Sequence, residues 1–418
     1  MLRKLSTANL AAIAFLFTII AASTSLTDST ITRNAFYLAV FFATAAFVIS
    51  KSWAISRDAA LISVAVFCIG LSQAVWLWRF PASEVLETHN EYLTSATRLL
   101  CGAVLIMMLG SLHSQINHKV KVFAKGLLIF GFFYTSGIGL YLHEQTPDLR
   151  LQINTVSTIT AYIYTLQSLL TVYVIHKTSW RYKYIAIAIV ILLSLWIIFL
   201  TETRATLLSY PIFLLIFFCR RHHLTLKTIL LSALIAIVMA TAASHLFSTA
   251  TARLTDIINE ISNYQKGNGD TSLGSRISMW KAGIHTIIQS PGGQSTDVRF
   301  ANATQYIDSH EGGNPEALRN IAYHLHNDFI EAGSLQGIAG IIALLCFFTL
   351  VFLASIRYMY TNAMLLLLIL PTILIGMVDT LFIDQRFVTN LTLMLAIYLS
   401  LQPASHNPSS CGVKEDKA

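Results

Sequence analysis

Three residues in this sequence have the types and surroundings to move a proton and hold a charged leaving group. His326 lies in His324-Leu325-His326-Asn327-Asp328, the densest run of ionisable side chains in a chain that otherwise avoids them. An unperturbed imidazole titrates near pH ~6.5, so it can take up and return a proton at neutral pH. Asn327, Asp328 and Glu331 are its polar neighbours, each a candidate to fix its tautomer. Arg204 follows Thr201-Glu202-Thr203, a link between apolar segments so short that the arginine should open the next helix. Free N–H groups and the positive dipole end there also favour an anion. Arg276, in Ser272-Leu-Gly-Ser275-Arg276, again stands at a helix start. Two planar guanidiniums hold a pyrophosphate in a defined geometry, which lysines do less well. Taken singly, each residue also has a plainer reading as a packed histidine, a snorkelling arginine and a solvated loop charge. His324-x-His326 has a metal-ligand spacing, but the sequence offers no convincing third ligand, so neither a metal nor any other cofactor is expected.

The elements that must position these residues are membrane spans. Of 418 residues 55% are hydrophobic and only 12% charged, against roughly 25% charged in a soluble domain. A helix needs about 20 apolar residues to cross the hydrocarbon core. Candidate spans fall at about 9–25, 35–50, 59–78, 96–112, 122–142, 153–176, 183–200, 205–219, 228–247, 335–356, 362–378 and 387–402. The predicted fold is an all-α polytopic membrane protein with about twelve transmembrane helices. Residues 1–247 hold helices 1 to 9, 248–334 form one large external loop, 335–402 hold helices 10 to 12, and 403–418 form a tail. The basic start and apolar run to Ala22 read as an uncleaved first helix.

Within the loop, Leu254, Ile257, Ile258, Ile261 and Tyr264 recur at helical spacing, and so do Ile277, Trp280, Ile284, Ile287 and Ile288. Ser272 or Ser275 should cap the second helix and Pro291-Gly292-Gly293 should stop it. Its apolar stripe should lie on the bilayer surface or on the outer ends of the spans. Asn314-Pro315 should start a third helix leading to His326. Gly337 and Gly340 should let the following helix pack closely against another.

The net charge of +7 reflects topology and not a polyanion-binding face. With the N-terminus cytoplasmic, the inner loops hold 16 basic residues against three acids and the outer segments 12 against 18. The resulting +13 inside and −6 outside follow the positive-inside rule, with both termini cytoplasmic. No nucleic-acid partner is implied. Cys68, Cys101, Cys219 and Cys346 lie in apolar segments and Cys411 in the tail, so no disulfide framework is expected. Mid-span positions hold almost no charge, unlike those of ion-coupled transporters. Charges gather instead at the outer mouths of spans: Arg98, Arg204, Asp379, Asp384 and Arg386.

His326-Asn327-x9-Gly337-x-x-Gly340, Thr203-Arg204-Ala205, and Ser272-Leu-Gly-Ser-Arg276 with Trp280 resemble motifs of the O-antigen ligases. The resemblance covers nearly the whole chain. The histidine motif marks the wider superfamily of ligases, O-antigen polymerases and protein O-oligosaccharyltransferases, and the two arginine motifs point to ligases. The resemblance implies a GT-C-like bacterial inner-membrane glycosyltransferase whose active site faces the periplasm. The implied donor is O-polysaccharide on undecaprenyl pyrophosphate, and the implied acceptor is an outer-core sugar hydroxyl of lipid A–core. Transfer would invert the anomeric centre without metal. Carried over, His326 would activate the acceptor and Arg204 and Arg276 would bind the pyrophosphate, with Arg98 and Asp379 as additional site candidates. Polymerases often carry two large periplasmic loops where one is evident here, and the scarcity of mid-membrane charge opposes a lipid-linked glycan transporter.

Overall fold

The computed structural model describes residues 6–50, 54–218, 271–357 and 364–402. Among them the chain forms fifteen helices and no strand. The first half is a run of long helices: α1 (Thr7–Thr24), α2 (Ser29–Ile49), α3 (Arg57–Arg79), α4 (Thr88–Ser111), α5 (His118–Gln145), α6 (Ser157–His176) and α7 (Lys183–Leu200). The shorter α8 (Arg204–Phe218) follows. After residue 270 come α9 (Ser272–Gln289), α10 (Thr296–His310), α11 (Pro315–Asn320), α12 (Asp328–Gln336), α13 (Ile338–Arg357), α14 (Met364–Gly376) and α15 (Gln385–Ser400). Helices α1 to α7 and α13 are each long and apolar enough to cross a membrane. The protein is an all-α polytopic membrane protein.

Two helices form the axis of the bundle. α6 is buried along almost its whole length, and α15 is buried continuously from Phe387 to Ser400. The surrounding helices bury one face and present large apolar side chains outward, among them Phe41, Phe130, Ile185 and Trp196, all more than half exposed. Such a belt suits lipid, which costs nothing to place against hydrocarbon side chains. Inward faces rely on small residues. Ala35, Ala39, Ala43 and Ala46 make one buried strip of α2, a helix that packs on α1, and small residues allow the close backbone approach that holds helices together in lipid.

Several expected spans begin earlier than their apolar stretch. α2 starts at Ser29, where the Asp28 carboxylate accepts the Thr30 and Ile31 N–H groups at 2.8 Å. α4 starts at Thr88 and not near residue 96. Both helices carry polar turns beyond the apolar zone, which hydropathy does not register. The expected span at 228–247, the amphipathic stretch from Leu254 to Tyr264 and the tail at 403–418 lie outside the described residues.

The expected span at 335–356 is two helices meeting at a corner. α12 ends at Gln336, Gly337 adopts φ +70°, and α13 starts at Ile338. The Pro291-Gly292-Gly293 turn fills the corner: Ile338 N–H donates to the Pro291 carbonyl and Gln294 N–H to that of Leu335, both at 2.9 Å. A Cβ at Gly337 would collide with the Pro291 carbonyl, and one at Gly340 would come within 2.7 Å of the Ala332 carbonyl. Gly337 serves the corner itself, and Gly340 lets α13 approach α12 closely, as the sequence predicts.

The external helices carry a core of their own: Met279 and Ala282 of α9, Ala303 and Ile307 of α10, Ala317 of α11, Ile321 and Leu325. The face of α9 that enters this core is that of Met279 and Ala282, and not the expected stripe: Ile284 and Ile288 are exposed, and Ile277, Trp280 and Ile287 are half-buried. The cap of α9 is Thr271, whose hydroxyl accepts the Gly274 N–H, and neither serine fills that role. α11 begins at Pro315 under an Asn314 cap as its sequence predicts. α10 was not anticipated, because its mostly polar sequence buries only Thr296, Arg299, Ala303 and Ile307.

Candidate functional site

His326 lies in the short segment between α11 and α12, with the left-handed φ of +50°. A β-carbon in this region costs roughly 1–2 kcal/mol, so the surroundings must hold the backbone there. They do so at Leu325, one residue earlier. Its N–H donates to Glu331 Oε2 at 2.9 Å, and its carbonyl accepts from Trp280 Nε1 at 3.0 Å. Glu331 is fixed in turn by Arg299 of α10, whose Nη1 lies 2.7 Å from Oε1, with both side chains fully buried. Arg299 also donates to the Ile321 carbonyl.

The next residues staple this segment to the turn between α14 and α15. Asn327 caps α12, accepting the Phe329 and Ile330 N–H groups, and donates through Nδ2 to the Met377 carbonyl at 3.0 Å. Asp328 Oδ1 accepts the Leu381 and Phe382 N–H groups at 2.7 and 3.1 Å. Burial pushes the Asp328 carboxyl well above its ordinary range, against the two backbone N–H bonds that lower it. Three consecutive side chains, from His326 to Asp328, thus bond to residues within 377–382.

The imidazole partner is Asp379. His326 Nδ1 lies 3.1 Å from Asp379 Oδ1, which also accepts the Thr380 N–H at 2.9 Å. Asp379 Oδ2 accepts the Tyr162 hydroxyl of α6 at 2.9 Å. Burial alone would raise this carboxyl. The His326 bond, the charges of His326 and His324, and the Thr380 N–H outweigh it, and the group lies below its ordinary value. An ionised acceptor at Nδ1 requires the proton on that nitrogen, which leaves Nε2 with its lone pair free. Asn327, Asp328 and Glu331 do not fix the tautomer, contrary to the sequence expectation. Each is committed to backbone or to Arg299, and the residue that does the job is 53 positions away.

His324 packs edge-on against His326 with ring centroids 4.3 Å apart, and burial followed by the His326 charge holds it below its ordinary value. His324, His326 and Asp379 each place one ligand atom within 4.8 Å of the others. The third ligand that the sequence did not reveal is therefore supplied by the fold. In the geometry described, however, the His326 Nδ1 and both Asp379 oxygens are already engaged in hydrogen bonds.

The two arginines approach from different elements. Arg276 is the fifth residue of α9, half-buried, and its charge bears on the Tyr162 hydroxyl, as does that of Arg150. Arg150 donates through Nε to the Thr201 carbonyl at 3.0 Å, and Leu151 N–H donates to the Leu200 carbonyl. These bonds dock the loop before α6 onto the link before α8. Arg204 opens α8 as expected and is exposed, next to Thr203, whose hydroxyl reaches the Ser157 carbonyl at the foot of α6. Tyr162 stands five residues further along α6, roughly 7.5 Å of rise. Among the described residues neither Arg204 nor Arg276 makes a hydrogen bond or ion pair. His326, Asp379 and Tyr162 form one hydrogen-bonded cluster; the Arg276 charge bears on Tyr162, and Arg204 follows Thr203 in the link that meets the foot of α6. Arg98 belongs elsewhere, in a separate pocket with Arg33 and Arg386.

Tyr162, Arg299 and Arg150 were missed by the sequence reading. Tyr162 is one aromatic among several in an apolar span, and Arg299 looks like any loop charge. Arg150 could have been counted with the charges at the span mouths.

Residues 189–345 match the model of the O-antigen ligase family. The chain is 26% identical over 327 residues to the O-antigen ligase of Escherichia coli (strain K12), an alignment covering 76% of each. The family match contains Arg204, Arg276, Arg299, His326 and Glu331, while Tyr162 and Asp379 lie outside it.

Proposed function

We propose, on the premise that this chain belongs to the O-antigen ligase superfamily, that it transfers O-polysaccharide from undecaprenyl pyrophosphate to an outer-core sugar hydroxyl of lipid A–core. One observation carries the reading: an imidazole whose Nδ1 is held by the buried Asp379 carboxylate and whose side chain stays partly open. A sugar hydroxyl is a weak nucleophile, and a positioned base contributes about 10²–10⁴-fold. His326 Nε2 takes the hydroxyl proton as the oxygen bonds to C1 of the donor sugar. The bond from C1 to the pyrophosphate oxygen breaks on the opposite face, and its electron pair leaves with the pyrophosphate. C1 inverts in this single displacement. Asp379 stabilises the imidazolium that forms.

The leaving pyrophosphate gains negative charge, and Arg204 and Arg276 are preorganised donors for it. With guanidiniums in this role the reaction needs no metal. The charge asymmetry of the loops supports an orientation with the His326 end of the bundle in the periplasm and both termini in the cytoplasm, and the inner membrane is part of the same proposal.

The test is reconstitution with purified lipid-linked O-polysaccharide and lipid A–core, read by gel shift of the core lipid. His326→Ala should abolish the shift while the protein still folds in detergent. Arg204→Ala and Arg276→Ala should raise the KM for donor more than that for acceptor. Wild-type ladders from the His326 variant would remove the base assignment. Transfer onto a second donor-linked chain, or onto protein, would instead assign the chain to a polymerase or a protein O-oligosaccharyltransferase.

A further inference from the structure

A second cationic pocket lies apart from the His326 cluster, at the same end of the bundle. Its cavity of about 150 Å³ is bordered by Arg33 of α2, Arg98 of α4 and Arg386 of α15. Its remaining wall is made of serine, threonine and glutamine side chains, and no carboxylate lines it. Two acids stand nearby on the same helices: Asp28 caps α2 through the Thr30 and Ile31 N–H groups, and Asp384 caps α15 through those of Arg386 and Phe387 while its charge also bears on the Arg386 guanidinium.

Arg98 is the informative member. It is only 5% exposed, and its Nε and Nη1 have no hydrogen-bond partner. The guanidinium rests over the rings of Phe36 and Tyr37, with its carbon 5.2 and 4.6 Å from their centroids. Stacking satisfies the flat faces of the group but not its N–H donors. A buried cation beside two other cations, with donors unused, is expensive to keep unless an anion completes it. Phosphate has the charge and the acceptor oxygens to take several guanidinium donors at once.

The geometry points to a phosphate-binding site at Arg33, Arg98 and Arg386, one that takes a phosphate group of a lipid-anchored ligand. On the function proposed above, the occupant is a phosphate on the acceptor glycolipid. Arg386 lies seven residues after Asp379 across a single turn, so a glycolipid anchored here would present its sugars on the face that carries His326. A phospholipid headgroup offers the same chemistry from the surrounding bilayer.

Native mass spectrometry of the detergent-purified full chain separates these sources with three probes. They are a phosphorylated disaccharide lipid, the same lipid after phosphatase treatment, and phosphatidylglycerol. Wild type should retain the phosphorylated glycolipid at least tenfold better than its dephosphorylated form. Arg98→Gln and Arg386→Gln should abolish that preference, and Arg98→Lys should keep part of it. His326→Ala should bind as wild type does, which keeps this result independent of whether the chain proves to be a ligase. Equal retention of phosphatidylglycerol, lost in the same variants, would uphold the phosphate site and assign its occupant to the bilayer. Equal retention of both glycolipid forms by wild type, or a preference surviving in both glutamine variants, would overturn the proposal.

Discussion

Replacing Asp379 by asparagine isolates the contribution of the imidazole's partner. The substitution preserves shape, and an amide oxygen can still accept from the Tyr162 hydroxyl or the Thr380 N–H, which now hold the two carboxylate oxygens. What disappears is the charge facing His326 Nδ1 at 3.1 Å. A hydrogen bond to a charged group contributes about 1.5–3 kcal/mol. That bond is strongest when the imidazole has taken the proton, so the loss should fall on the transition state. At about 1.4 kcal/mol per tenfold, kcat should drop roughly 10- to 150-fold, with the donor KM nearly unchanged. His326→Ala should cost more, about 10²–10⁴-fold. Tyr162→Phe removes a second bond to the same carboxylate but leaves the charge facing Nδ1 in place, so it should cost less than Asp379→Asn. The assay is initial rate against donor concentration in the reconstituted system. Since Asp379 lies below the ordinary carboxylate range, it is ionised at every pH near neutrality. An Asp379→Asn protein within twofold of wild type in kcat, or one whose whole loss is in KM, would refute the assignment of Asp379 to His326.

Four further outcomes are expected. Arg299→Ala leaves the buried Glu331 carboxylate uncompensated, and the unfolding midpoint in detergent should fall by an amount equivalent to about 3–5 kcal/mol; a mild effect would mean that the pair does not hold the His326 segment. Gly337→Ala forces a Cβ onto the Pro291 carbonyl at φ +70°, and proteolysis should show the α12–α13 corner opening, whereas Gly126→Ala, where nothing lies nearby, should be silent. Asp328 has a folded-state value raised by burial, so it binds a proton that the unfolded chain has lost, and its contribution declines as pH rises above the ordinary carboxylate range; Asp328→Asn should flatten that decline and match or exceed wild-type stability at pH 8, as read by thermal melts from pH 5 to 8. Prolonged treatment with EDTA should leave transfer intact, and activity lost in chelator and restored by a divalent ion would give the His324–His326–Asp379 triplet a metal-binding role instead.

The spans were legible because lipid imposes a coarse rule on composition, which the apolar runs obey from α1 to α8. Where the chain leaves lipid, the rule stops informing. The polar first turns of α2 and α4 and the whole of α10 escaped it for this reason. The histidine was legible because ionisable residues are rare in such a chain and their clustering stands out. Its partner was not: the nearest acids in sequence, Asp328 and Glu331, are spent on the Leu381 and Phe382 N–H groups and on Arg299. Proximity along the chain is a poor guide where consecutive side chains radiate to different elements. Asp379 reaches His326 only because α14 and α15 return to the same end of the bundle.

Backbone strain offers an independent argument that the assembled loops form one site. Among the described residues, three other than glycine adopt a positive φ: Asn154, Glu202 and His326. Asn154 lies in the loop that leads to α6, Glu202 in the link that leads to Arg204, and His326 carries the imidazole. The first two loops are bonded to each other through Leu151–Leu200 and Arg150–Thr201, and α6, which follows the first, delivers Tyr162 to Asp379. Each left-handed residue costs roughly 1–2 kcal/mol, and a fold tolerates such a cost where the surrounding contacts fix the backbone more tightly than stability alone requires. Residues whose chemistry depends on sub-ångström placement gain from that excess of constraint. The strain falls in the three segments that introduce the candidate base, its carboxylate's second partner and Arg204, the candidate anion-binding arginine. That distribution is what a preorganised centre assembled from distant parts of the chain would produce.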